Sequence, residues 1–210
     1  MKKTTTILIF YMLVISCNKK EIAPVVIPLP DTLKASEYQP LSVGSYWIYQ
    51  RFTVFSADSE IASTTFDSVW IARDTVIRNH TFAVFQAPVQ ILLYPQFLLR
   101  DSSGDLVDQH GAIKFSRYNF TDTLDTFSIA FLHLGCKMTD RDSIIEVPAG
   151  NYKTYDYRLY ISTWAFPGEV RSTFTFYAKD VGLVKWNLFF VSSFENPIYY
   201  DYRLVRYHIE

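Results

Sequence analysis

Cysteine is almost missing from this chain: the 210 residues hold two, Cys17 and Cys136. A disulfide-stapled scaffold is therefore excluded, because such small folds need several bridges. A basic surplus is missing too: 20 Lys and Arg against 21 Asp and Glu leave a formal charge of −1. No electrostatic footprint for nucleic acid follows from that balance. The apolar stretch Ile7–Ile15 is too short to cross about 30 Å of hydrocarbon as a helix, so no helical membrane anchor is indicated. Catalytic signatures are absent as well, with no G-x-S-x-G elbow, phosphate-binding loop or H-E-x-x-H. The four histidines, His80, His110, His133 and His208, form no i, i+2 or i, i+4 pair with another ligand type. A zinc site needs three or four convergent ligands, so no metal or cofactor is implied.

The first feature present is the start of the chain. Lys2 and Lys3 precede the apolar stretch, and Val14-Ile15-Ser16-Cys17 closes it. This pattern resembles a bacterial lipoprotein signal peptide, with small Ser16 before the cysteine that becomes the lipidated N-terminus. The resemblance implies cleavage after residue 16, lipidation of Cys17 and a mature charge of −3. Several acyl chains on Cys17 hold a protein to a membrane where one alone does so only marginally. Asn18 follows where, by resemblance to a known sorting rule, Asp would retain a lipoprotein at the inner membrane. The expected location is thus the outer membrane, facing the periplasm or the cell surface.

Residues 17–37 read as a tether. Pro24, Pro28 and Pro30 oppose helix and sheet, and full extension at about 3.1 Å per residue gives a reach of roughly 60 Å. Asp31 to Ser36 offers one short helical turn. From residue 38 to 210 a single domain is expected, with aromatic and β-branched residues alternating at period two.

Strands are predicted over 45–57, 61–76, 81–86, 90–101, 106–110, 112–118, 127–134, 142–147, 152–163, 170–178, 182–191 and 199–209. Arg78-Asn79 makes a tight turn, and Asp140-Arg141-Asp142 reads as an exposed loop. So many strands without a long helix must protect their edges by closing. The expected fold class is all-β, a single antiparallel curved sheet forming an open or half-closed barrel; a two-sheet β-sandwich is the alternative. Arg51, Arg73, Arg158 and Arg171, placed on outward faces, argue against a barrel that spans a membrane.

Three segments recur in a family order: Pro40-Leu41-Ser42-Val43-Gly44-Ser45-Tyr46-Trp47-Ile48-Tyr49, then Val147-Pro148-Ala149-Gly150-Asn151-Tyr152, then Tyr177-Ala178-Lys179-Asp180-Val181-Gly182-Leu183-Val184-Lys185. They resemble the PLxVGxxWxY, VPAGxF and YxAxxVGLVK motifs of a large group of bacterial lipoproteins of unassigned activity. Some of those look like the half-barrel periplasmic lipoprotein carriers, which implies a fold but no function.

Physically, the glycines suit turns and the aromatics suit a core. The functional alternative is that Trp47, Tyr49, Tyr155 and Tyr157 line the mouth of a ligand cavity, where amphipathic rings fit. Aromatic residues make up 17% of the chain, which motivates a non-enzymatic module for an apolar or amphipathic ligand. A structural subunit of an envelope complex is the second reading, and an envelope hydrolase built from distant Asp, His and Ser residues the third. Asp101, Asp105 and Asp108 around Gly104 read as a solvated turn, and Cys136 as a small buried hydrophobe.

Overall fold

The period-two alternation folds into twelve antiparallel strands in a computed structural model that describes residues 34–210 apart from 57, 88–95, 164–169 and 190–197. Cys17, the signal peptide and the Asp31 helix start lie outside the described residues. The strands are β1 Tyr46–Ser56, β2 Ser59–Ile77, β3 His80–Gln86, β4 Gln96–Ser102, β5 Asp105–Val107 and β6 Ile113–Ser116. They continue as β7 Asp125–Ile129, β8 Leu132–Val147, β9 Gly150–Thr163, β10 Val170–Ala178, β11 Gly182–Phe189 and β12 Tyr199–His208.

Apart from β6 and β7, each strand pairs with its sequence neighbour, and β12 returns to β1, so the order around the sheet is an up-and-down meander. One seam, between β6 and β7, carries no strand ladder. One ion contact approaches across it: Lys114 Nζ lies 3.9 Å from Asp125 Oδ2. The domain is therefore one antiparallel sheet curled almost into a barrel, as the half-closed reading expects, and not two packed sheets.

Local chemistry sets the joints. Arg78 and Asn79 take φ of 50° and 65° between the paired residues Ile77 and His80, the left-handed geometry that a two-residue hairpin of right-twisted strands requires. Two expected boundaries move. The segment 127–134 is not one strand, because Ala130 (φ 52°) and Phe131 turn it into the β7–β8 hairpin. Asp140-Arg141-Asp142 is not a loop but the middle of β8, where register shifts after Met138 and after Arg141 absorb extra residues without ending the strand. The Asp140 carboxylate accepts the Arg141 amide at 2.7 Å and so compensates the interrupted ladder.

The core fills the lower half of the barrel. Trp47, Tyr49, Ile71, Phe85, Leu106, Phe115, Met138, Val184, Tyr202 and Leu204 are all at most 1% exposed. A barrel of twelve strands is too wide for wall side chains alone to fill. The chain solves this with its own N-terminal segment. Ala35–Glu37 forms a single 3₁₀ turn that enters the base, where Ala35 is fully buried. Tyr38 follows, its ring 5.3 Å from Phe115 and 4.3 Å from Tyr155. The Ser36 amide donates to Asp101 at 2.7 Å, and the Leu183 amide donates to the buried Gln39 side chain at 3.2 Å.

Candidate functional site

The proposed aromatic ligand residues fall into two environments. Trp47 and Tyr49 are 1% exposed, and their polar atoms are already used: Trp47 Nε1 donates to the Val181 carbonyl at 2.6 Å and Tyr49 Oη to the Leu183 carbonyl at 2.7 Å. These bonds join the first and third family-like segments, while the Ala149 amide of the second donates to Leu204 at 2.9 Å. All three segments meet at the plugged end of the barrel. Tyr155 packs at a tilt against Tyr38 with centroids 4.3 Å apart and meets Phe120 edge-on at 5.3 Å. Tyr157 faces the interior next to Cys136, and burial pushes its phenol well above its ordinary range.

Above the packed layer the wall is uneven. β4, β5 and β6 have 7, 3 and 4 residues, whereas β2, β8 and β9 have 19, 16 and 14. At the short strands lies a half-open cleft of about 600 Å³, bounded by Phe97, Leu98, Leu99, His110, Lys114 and, across the interior, Tyr177. Over the tall side, strand alternation carries exposed apolar side chains on the inner face. Phe127 is paired with Leu134 and Leu134 with Ile161, in the same alternation as inward Cys136 and Leu159. Leu188 is paired with Tyr200, one alternation above the stacked Trp186 and Tyr202. Phe127, Ile129 and Leu188 remain exposed. The inner face above the packed layer thus carries exposed apolar side chains on its tall side.

The ionisable groups of this region are paired with one another. Lys114 Nζ sits 3.3 Å from Asp108 and 3.9 Å from Asp125. Burial alone would raise the Asp108 carboxyl; the His110 and Ala112 amides and Lys114 together outweigh it and hold the group below its ordinary value. Arg51 and Arg171, expected on outward faces, occupy the inner one. Arg51 continues the alternation of Trp47 and Tyr49, lies 4.9 Å from the Tyr200 ring and bonds the core residue Tyr202. Arg171 pairs with inward Ile161. The reason is that strands above a packed layer keep their alternation, so whatever residue falls on the inner parity enters the lumen. Asp67, opposite Tyr49, is raised by burial against the opposing pull of Arg51. Cys136 is buried and its thiol is pushed up by that burial, the state of a packing residue and not of a nucleophile.

Arg158 does face outward. It bonds Asp156 at 2.7 Å beside Phe174, and the same outer face holds Lys185 and Arg203 on Asp201 at 3.2 and 2.9 Å. The Asp101 and Asp108 carboxylates close their own turns, accepting the Gly104 amide at 3.3 Å and the His110 amide at 2.8 Å. His133 Nδ1 lies 2.9 Å from Ser128 Oγ on the outer face, but the two are cross-strand partners whose backbone sits in the β7–β8 ladder. No carboxylate orients His133 among the described residues, so the pair lacks the third member of a nucleophilic triad. The sequence reading singles out Tyr177 only as a core residue of the third segment, and Phe97, Leu98 and Lys114 not at all; the signal for those three is the crowding of short strands between residues 96 and 118.

No family model matches the chain, and no curated protein matches it. Two solved structures are similar in part. One is a protein from Bacteroides fragilis described as exported and as having a YmcC-like fold; it is 12% identical, with a TM-score of 0.47, over 80% of this chain and 97% of that one. The other, described as a lipoprotein from Parabacteroides distasonis, is 13% identical, with a TM-score of 0.37, over the same shares of the two chains.

Proposed function

We propose that the chain is a lipid-anchored protein of the outer membrane, non-enzymatic, whose barrel binds an amphipathic ligand. In this reading the anchor is Cys17, which the proline-containing segment 18–37 joins to the domain. The observation that carries the reading is the half-open cleft of about 600 Å³, together with the exposed apolar side chains of the inner face. A pocket of that size suits a single acyl chain or a compact ring system.

The test uses the full-length chain with Cys17→Ser and the neutral apolar fluorophore N-phenyl-1-naphthylamine. Saturable fluorescence enhancement is expected, and Phe97→Arg, on the inward face of β4 at the cleft wall, should weaken it about tenfold. Enhancement that does not saturate, or that ignores Phe97→Arg, removes the reading.

A second reading, an interaction subunit, draws support from the outer face. Tyr46 is paired with both Trp70 and His208, and all three are exposed in one row across β2, β1 and β12. A photo-cross-linking residue at position 70 should then capture one defined envelope protein in intact cells. Capture of none sinks this second reading.

A further inference from the structure

From the charge arrangement around the cleft we infer that the ligand carries an uncharged head group, and that the site rejects amphiphiles of the same chain length with an anionic head. The inference rests on the ligand-binding reading and specifies what enters the cleft. An anionic head needs a free cation, or a cluster of amide donors, to replace its lost hydration. The cleft supplies neither.

The only cation at the cleft among the described residues, Lys114, is held by Asp108 at 3.3 Å and approached by Asp125 at 3.9 Å. These three groups sum to one negative charge. The His110 and Ala112 amides, which point into the same turn, are spent on Asp108 Oδ1 at 2.8 and 3.0 Å. The two arginines on the inner face above the packed layer are engaged as well. Arg51 stacks on Tyr200 and bonds Tyr202, with Asp67 close enough to feel its charge. Arg171 also has a partner.

What remains for a head group is neutral hydrogen-bonding chemistry. Gln96, Gln109 and His110 line the cleft with Phe97 and Leu99, and Gln109 Nε2 lies 3.1 Å from His110 Nε2. A hydroxyl-bearing head such as a glycerol can bond these side chains at no cost in charge. A carboxylate would have to approach Asp108 and Asp125 in a site partly shielded from water, where like charges repel more strongly than in bulk solvent.

The experiment compares 1-monomyristoylglycerol with myristate on the full-length Cys17→Ser chain at pH 7.5. Both are kept below their critical micelle concentrations, and each displaces N-phenyl-1-naphthylamine. The monoglyceride is expected to bind at least about tenfold more tightly. Asp125→Asn, which removes one of the two charges on Lys114, should narrow that ratio by strengthening myristate alone. Lys114→Met should leave myristate excluded. Equal or tighter binding of myristate by the parent protein overturns the inference, as does a ratio that Asp125→Asn leaves unchanged. If the fluorophore binds saturably yet neither amphiphile displaces it, the head-group inference falls while the ligand-binding reading stands. Failure of the fluorophore itself to bind removes both.

Discussion

Gly182 shows how tightly the plugged end is built. Its φ is +101°, a region that L side chains rarely occupy, and a Cβ there would stand 3.0 Å from Trp47 Nε1 and 3.3 Å from the Gln39 amide. The indole is fixed by its bond to Val181 and cannot retreat. Gly182→Ala is therefore expected to cost about 1–3 kcal/mol through backbone strain and displacement of the indole. Trp47→Phe should cost about 2–4 kcal/mol, because it leaves a buried carbonyl without its donor and a void beside it. The two residues touch, so the double variant should lose less than the sum of the two. Urea unfolding of the parent and the three variants measures this, and strict additivity would show that the contact carries no energy. The family-like segments acquire a physical meaning from the same contacts. Trp47, Ala149 and Gly182 secure the plugged end of the barrel.

Among the elements, the β5–β6 connection carries the most chemistry in the fewest residues. Asp108 accepts two amides of its own turn and holds Lys114 at the cleft. Its carboxyl is held below its ordinary 3.8, so the charged form stabilises the folded state above pH 3.8 and that contribution is lost as pH falls through the lower folded value. Asp108→Asn keeps an acceptor oxygen and removes the charge. The stability gap between parent and variant should be constant from about pH 7 to pH 5 and close only at more acid pH, below 3.8. Thermal unfolding across that range checks it, and a gap that does not narrow at all as pH falls below 3.8 would show that the charge contributes nothing.

At this scale, too, much of the fold was legible in the residues. The alternation of Tyr155, Tyr157, Leu159 and Ile161 marks β9, and Val170–Ala178 is a strand with the bounds the pattern predicts. The β7–β8 turn was not legible, because Ala130-Phe131 contains none of the residues that favour positive φ and is forced there by pairing. Bulges within β8 were hidden for the same reason: Asp140-Arg141-Asp142 has the composition of a loop, and only the long partner β9 keeps it in the sheet. The cleft was the least legible part. It arises from a difference in strand length around a closed circuit, which no local window records, and the inward turn of Arg51 and Arg171 follows from parity within that circuit.

For the molecule as a whole, the open seam raises the question of what holds β4–β6 against β8–β10 without a ladder between β6 and β7. The answer lies in the segment that enters from the N-terminal side. Tyr38 stacks between Phe115 of β6 and Tyr155 of β9, Ser36 bonds Asp101 of β4, and the Glu37 carbonyl accepts the Asp180 amide from the β10–β11 turn. The Glu37 carboxylate adds Arg117 at 3.1 Å and Lys179 at 3.3 Å, one from each side. These ion pairs are partly exposed and worth little alone; the ring of Tyr38 is buried and its removal should cost about 3–5 kcal/mol. Because the plug bridges the two sides, the loss should not spread evenly. β1, β2, β11 and β12 keep continuous ladders, whereas the short β4–β6 meander would retain only its attachment to β3. Hydrogen exchange of Tyr38→Ala is therefore expected to show amides of β4–β6 opening well before those of β11 and β12, in a molecule that remains folded. Uniform loss of protection would mean that the barrel unfolds as one unit and that the seam has no independent motion. Selective opening would instead place the mobile wall of the domain beside the cleft, and exchange in β4–β6 should then slow when 1-monomyristoylglycerol is bound.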